Sequence, residues 1–227
     1  MTDSPPDLGG RRALVLGVAT VVVLIVGAAI GMLITRAVVH EQGPPSADSV
    51  DVGFAQDMRV HHLQAVTMSG IARDRTTDPE VHTLAFDIES TQLAQSGEMT
   101  GWLTAWTQPE LPPPDRVAMS WMTGSSGHSH GTITTPGGVT RMPGMASPEE
   151  LSRLKSVTGK ELDILFLQLV LRHHQGAVPM AQYANLHASV GYVRDLAQKI
   201  VSSQSAEVSL MIKMLADRGA SPLPAPN

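Results

Sequence analysis

Two segments of the chain, MRVHHLQAVTM at 58–68 and LRHHQGAVPM at 171–180, carry the same paired histidines, the same Ala-Val pair and the same methionine in the same order. Aligned on the histidines they are offset by 112 positions (173 − 61), and the correspondence runs on without a gap. Asp51 meets Asp163, Phe54 meets Phe166, Leu84-Ala85 meet Leu196-Ala197, Ile88 meets Ile200, Gln92 meets Gln204 and Met99 meets Met211. So long a shared register marks an internal duplication, and whatever one copy folds into, the other must fold into as well.

Each copy reads as two helices. Phe54, Met58, His61, Ala65, Met68 and Ala72 recur at alternating four- and three-residue spacing and make one helical face. RTTDP at 75–79 interrupts it, with Pro79 suited to the first turn of a new helix. A second stripe follows through Val81, Leu84, Ile88, Gln92, Gln95, Met99 and Trp102. The other copy sets Phe166, Val170, His173, Ala177, Met180 and Ala184 against Ile200, Gln204, Glu207, Met211 and Met214. No single stripe can be buried alone, so the hairpins at 49–106 and 160–216 are expected to pack on each other. The expectation is an all-α domain over 49–218, a four-helix bundle made of two duplicated helical hairpins, with a short tail at 219–227.

Ahead of it, residues 13–35 form a charge-free apolar run. At about 1.5 Å per helical residue this run spans the roughly 30 Å hydrocarbon core of a bilayer. It exceeds the h-region of a secretory signal, and no A-x-A cleavage site follows, so an uncleaved transmembrane helix is expected. Arg11 and Arg12 precede the run and Arg36 follows it. That bias puts residues 1–12 in the cytoplasm of a single-pass bacterial membrane protein and everything beyond the 36–48 linker outside. Cysteine is absent, which excludes disulfides and thiolate metal sites. A net charge of −5 without a basic patch excludes nucleic acid as a partner.

The copies are joined by residues 107–146, rich in Pro, Gly, Ser and Thr, a connection of a length that is commonly either functional or disordered, and whose contents favour a functional part. It contains Met119, Met122, His128, His130, Met142 and Met145. Ser147-Pro148-Glu149-Glu150 then reads as an N-cap, a first-turn proline and a capping-box glutamate, opening a short helix to about Lys155.

Without thiolates, metal chemistry must rest on imidazole, thioether and carboxylate. On a helical wheel His61 and His173 lie within the stripes, whereas His62 and His174 fall about 80° away, at the boundary, where they can reach a neighbouring helix or the rim. Met68 shares the face of His61 but lies about 10 Å along the axis. An antiparallel hairpin should bring His61 level with Gln95 and Met99, and His173 level with Glu207 and Met211. The candidate metal ligands are therefore His61, His62, Met68, Met99, His173, His174, Met180, Glu207 and Met211. The loop residues Met119, Met122, His128 and His130 form a weaker and more exchangeable set. Imidazole with thioether suits copper as Cu(I), imidazole suits Cu(II), and silver should follow copper. The competing reading is structural: methionine stripes are ordinary packing, and histidines bonded to Gln95 or Glu207 would only fix the register.

Asp163, Phe166, HHQGAVPMA at 173–181, the Gln204 to Met211 stretch and MPGMASPEELSRL at 142–154 resemble the bacterial family known as domain of unknown function 305 (DUF305). The resemblance covers roughly residues 49–218. It implies a ferritin-like fold and an envelope location, and some members of that family are implicated in copper or silver binding and tolerance. The first copy departs from the pattern, with Gln95 where Glu207 stands in the second and Gln64 where a glycine is usual.

The expected function is thus a membrane-anchored, extracytoplasmic protein that binds copper and silver for tolerance or delivery. No nucleophile, base and orienter are visible together, so no enzyme is expected. One alternative is a non-catalytic accessory subunit of an envelope or respiratory membrane complex, with structural histidines. A ferritin-like redox enzyme is the other, and it would need carboxylates from each helix where the stripes offer Glu207 alone.

Overall fold

The computed structural model describes residues 8–38, 43–114, 116–122 and 141–226. The described residues hold six α-helices and one short 3-10 turn. They fall into two units, residues 1–43 and 44–227.

The first unit is helix α1, Leu8–Val38, whose segment Leu14–Thr35 has a mean hydropathy of 2.7. It is long and apolar enough to cross a membrane.

The second unit contains α2 (Val50–Arg75), α3 (Pro79–Ala105), the 3-10 turn Ser120–Met122, α4 (Pro148–Ser156), α5 (Gly159–His187) and α6 (Gly191–Asp217). Local chemistry sets the helix starts. The Ser49 hydroxyl accepts from the Val52 amide, and Asp78 accepts from the amides of Glu80 and Val81 with Pro79 behind it. Ser147 and Glu150 form a reciprocal capping box on α4.

Helices α2 and α3 form one hairpin, α5 and α6 the other, and α2 packs on α5. The duplicated aspartates show that α2 and α5 run antiparallel. Asp51, at the start of α2, accepts from the amides of Ser189 and Val190 in the turn between α5 and α6. Its counterpart Asp163, at the start of α5, accepts from Thr76 Oγ1 in the turn between α2 and α3, at 2.6 Å. Each hairpin thus fastens the other's turn.

Two apolar clusters lie along this axis. One holds Phe54, Met58, Met99, Leu103, Ala177, Met180, Leu196 and Ile200. The other holds Ala65, Met68, Leu84, Ile88, Phe166, Val170, Met211 and Met214. Duplicated partners such as Phe54 and Phe166, Met68 and Met180, or Met99 and Met211 fall in opposite clusters. That exchange is what an approximate two-fold axis between the hairpins requires.

The connection between the copies is sewn to the bundle at both described ends. Asp57, buried in α2, accepts from the Met119 amide and the Trp121 indole, both at 2.7 Å, and from Arg116 at 3.1 Å. The Trp121 side chain packs against Gly53, where a Cβ would collide with it. At the other end, residues 142–146 run across α5 at Gly176, whose absent side chain leaves room for the Pro143 carbonyl. Gly144 takes a left-handed conformation, φ 80°, against the backbone of Arg172 and His173.

Candidate metal centre

Between the two apolar clusters lies a polar layer. On α2 the apolar residues stop at Met58 and resume at Ala65, with His61 and His62 between them; on α5, His173 and His174 fill the gap before Ala177. Gln92, Gln95 and Ser96 of α3 and Gln204 of α6 are buried at the same level, and Glu207 of α6 is partly buried.

All four histidines have no solvent exposure. Of the two positions expected for His62 and His174, a neighbouring helix or the rim, the structure shows the first. Helix α2 is enclosed by α3 on one side and α5 on another, so two directions around it are interior. His62 points toward α3, where its Nε2 meets Gln95 Oε1 at 2.8 Å, and His174 points toward α6, where its Nε2 meets Glu207 Oε2 at 2.6 Å. The second histidine of each pair, not the first, faces its own hairpin partner.

The first histidines face each other across α2 and α5, with ring centroids 3.7 Å apart and planes tilted by 36°. His173 Nε2 lies 2.9 Å from the His61 carbonyl oxygen, while His61 Nε2 lies 3.0 Å from that of Pro143. The 142–146 segment thus breaks the two-fold symmetry, giving His61 a carbonyl from the loop.

Carbonyl and carboxylate oxygens only accept, so the Nε2 atoms of His61, His173 and His174 each donate a proton to their partners. The amide oxygen of Gln95 gives His62 the same tautomer. In the neutral ring the lone pair is then on Nδ1, and all four Nδ1 atoms are buried without a hydrogen-bond partner. Burial pushes His61 down to about 4, and burial with the neighbouring His61 pushes His62 down to about 3. His173 is lowered well below its usual range by burial and then by His61. These are neutral imidazoles, the form that ligates metals.

The same layer holds further unpaired atoms: both amide atoms of Gln92 and of Gln204, and Ser96 Oγ. Unpaired buried polar groups are rare and costly in a folded protein, so their concentration in one layer is a signal that something polar or ionic belongs there.

The sequence profile described as domain of unknown function (DUF305) matches residues 51–215. The chain belongs to the DUF305 family. A DUF305 protein of Streptomyces coelicolor, described as a putative secreted protein, shares 42% identity and a TM-score of 0.69, covering 78% of this chain and 99% of that one. A DUF305 fragment from Deinococcus radiodurans shares 29% identity and a TM-score of 0.58, covering 74% and 96%. CopM, solved in a Cu(I)-bound form, shares 23% identity and a TM-score of 0.53, covering 74% and 96%. It is also known in Ag-bound and Cu(II)-bound forms. At that identity the likeness to CopM shows the fold. No curated protein matches the chain.

Within this DUF305 chain the structure distributes the remaining expected ligands as follows. Met99 and Met180 are fully buried in one apolar cluster, Met68 and Met211 in the other. Met119 is packed into the first cluster, with Met122 partly buried against it. Asp57 and Gly53 hold that segment down. His128 and His130 lie outside the described residues. Among the described residues no three His, Asp or Glu side chains converge as a cation cage. The buried carboxylates of Asp51, Asp57 and Asp163 serve backbone amides, an indole, an arginine and a hydroxyl.

Sequence periodicity did not single out Gln64 or Pro143. Gln64 stands where Gly176 stands in the second copy, and its amide bonds both the N–H (2.6 Å) and the carbonyl (3.0 Å) of Ala146. Gln64 thus ties down the segment that Gly176 makes room for. The break in the repeat at this position was the available signal. Pro143 acts through its backbone carbonyl and left none.

Proposed function

We propose that this DUF305 protein binds soft monovalent metal ions, copper as Cu(I) and silver, through the imidazole Nδ1 atoms of its central layer. The observation that carries this reading is the set of four buried, unpartnered Nδ1 lone pairs, each on a ring whose Nε2–H is held by a carbonyl, amide or carboxylate oxygen. Metal-ligating histidines are usually oriented in this way, by a hydrogen bond from the other ring nitrogen. Buried methionines on either side of the layer add thioethers, which select Cu(I) over harder ions. The donor set fits such an ion: it is neutral, nitrogen- and sulfur-based, and lacks the clustered carboxylates that iron or calcium would take. When bound, such ions would be held by His61, His62, His173 and His174, with Met99 and Met211, one turn beyond Gln95 and Glu207, as flanking donors. The CopM structures with Cu(I) and Ag support the reading by analogy of fold.

We place the protein at the bacterial cytoplasmic membrane, with α1 as an uncleaved anchor, Arg11 and Arg12 inside, and residues 44–227 outside. There it would serve tolerance or delivery of the ion, without catalysis.

The test is a titration of the full-length protein, purified without an affinity tag, with Cu(I) and Ag(I) against a competing chelator. Tight binding of both ions is expected. Binding no stronger than that of an unrelated helical protein would discard the reading.

One observation favours the accessory-subunit reading. Phe86 and Leu93 of α3 are half exposed, and their duplicated positions on α6 are Gln198 and Ser205. At these two positions α3 exposes apolar side chains where α6 exposes polar ones, the kind of exposed apolar pair that another envelope protein would cover. Binding a metal and docking on a complex are compatible.

A further inference from the structure

The duplication has left its two halves unequal in charge. His62 and His174 occupy matching positions, are equally buried, and each present an unpartnered Nδ1. Behind the His62 ring stands Gln95, a neutral amide; behind the His174 ring stands Glu207, a carboxylate. Among the described residues Glu207 has no lysine or arginine partner, and His174 is the group it touches. Its side chain is 23% exposed, so the carboxylate also reaches toward solvent.

These differences matter once a cation arrives. A monovalent ion on Nδ1 of His62 has only the neutral Gln95 amide behind the ring and no carboxylate of its own to balance it, and an unpaired buried charge is expensive. The same ion on Nδ1 of His174 is balanced through the ring by Glu207. A carboxylate accepting the opposite N–H also makes the imidazole a better donor, and loss of such a partner commonly costs 10- to 100-fold in metal affinity.

We propose that Glu207 ranks the two halves of the centre. The His174 half is the high-affinity site for a soft monovalent cation. The His62 half is a weaker site that fills second and releases first. The inference rests on the metal-binding reading above. Glu207 acts as a positioning and charge-balancing group through His174, and Gln95 is the substitution that lowers the affinity of the other half. Two sites of unequal strength in one small bundle suit retention at one and exchange at the other.

The experiment is a silver(I) titration of the full-length chain in detergent, since silver does not change oxidation state, with the imidazole nitrogens followed by 15N NMR. In the wild type, His174 Nδ1 should respond first and His62 Nδ1 at about 10- to 100-fold higher free silver. Glu207→Gln should weaken the first step until the two coincide. Gln95→Glu should close the same gap in the opposite way, by tightening the His62 step, an outcome that a merely structural role for Glu207 does not produce. Thermal melts establish that each variant is folded. His62 responding first in the wild type, or a gap unchanged by either substitution, overturns the ranking while leaving metal binding intact. If Glu207→Gln does not fold, Gln95→Glu decides alone, and a His62 step that fails to tighten overturns it. A wild-type chain that takes up no silver overturns the metal-binding reading and this inference together.

Discussion

Gly176 of α5 and Gln64 of α2 stand at matching places in the duplication, and the segment 142–146 is fitted against both. The glycine leaves room for the Pro143 carbonyl, and the glutamine bonds both backbone groups of Ala146. The asymmetry of the two copies therefore follows from a single strand of chain that only one of them can admit. Gly176→Ala should force that strand off the helix and cost about 1–3 kcal/mol, the usual penalty for overpacking. Gln64→Ala removes two hydrogen bonds and should cost a similar amount. Thermal unfolding of the two variants checks this. The pair should be less than additive, since each releases the same segment.

At the other end of the connection, Asp57 gathers the Met119 amide, the Trp121 indole and Arg116 in a buried position. Asp57→Asn turns an acceptor of three donors into a group that is itself half donor. Destabilisation of about 1–3 kcal/mol is expected, together with a red shift in tryptophan emission as Trp121 leaves Gly53. Unshifted emission would show that the segment is held by its apolar contacts alone.

How much of this could be read from the sequence differs by residue. Helix punctuation was plain, because RTTDP and SPEE carry their capping chemistry in side chains, and Asp78, Pro79, Ser147 and Glu150 do what their types predict. That the two hairpins pack on each other followed from the duplicated stripes. The choice between the two placements open to His62, a neighbouring helix or the rim, did not, because the wheel of one helix does not show that α2 is flanked by both α3 and α5. Pro143 contributes a backbone oxygen, to which side-chain pattern is blind. Asp57 and Gly53 were legible in principle: their counterparts are Leu169 and Leu165, so the repeat itself marks where the first copy has been altered to receive the connection.

The central layer should make the fold sensitive to acid. His61 and His62 are lowered to about 4 and about 3, while in the unfolded chain they titrate near 6.5. Between those values the unfolded state binds protons and the folded state does not, so stability is fully present above about pH 6.5 and falls as the pH drops toward 4. At pH 5 the loss amounts to about 2 kcal/mol for each such imidazole. Melting temperatures at pH 7.5, 6 and 5 should fall steeply, and silver should offset part of the fall by holding the imidazoles neutral. A flat profile would mean that the layer is hydrated enough to accept protons while folded.

The membrane orientation can be checked at Ser46, which is exposed and lies just beyond the apolar helix in sequence. The chain has no cysteine of its own, so Ser46→Cys introduces a single thiol. In intact cells it should react with a membrane-impermeant reagent. Labelling confined to lysed cells would reverse the orientation.

The last prediction separates ligand histidines from histidines that merely set the register of the bundle. His61 and His173 stack across α2 and α5, and their Nε2–H groups are already spent on backbone carbonyls. As register-setting residues they need nothing more, and their Nδ1 atoms are a standing cost. As ligands, those same Nδ1 atoms are the reason for the pair. His61→Ala and His173→Ala should therefore each weaken Cu(I) binding by more than about tenfold, the scale on which even the outer partners of a metal ligand act. His82→Ala, on the exposed side of α3, should leave it unchanged. Removing a buried imidazole also strips the Pro143 or His61 carbonyl of its donor, at about 1–3 kcal/mol, so each titration needs a thermal melt beside it. The affinity loss must exceed what the stability loss explains. If the His61/His173 double variant folds and binds Cu(I) as the wild type does, the stack is structural, and the exposed Phe86 and Leu93 of α3 become the better guide to what this protein does.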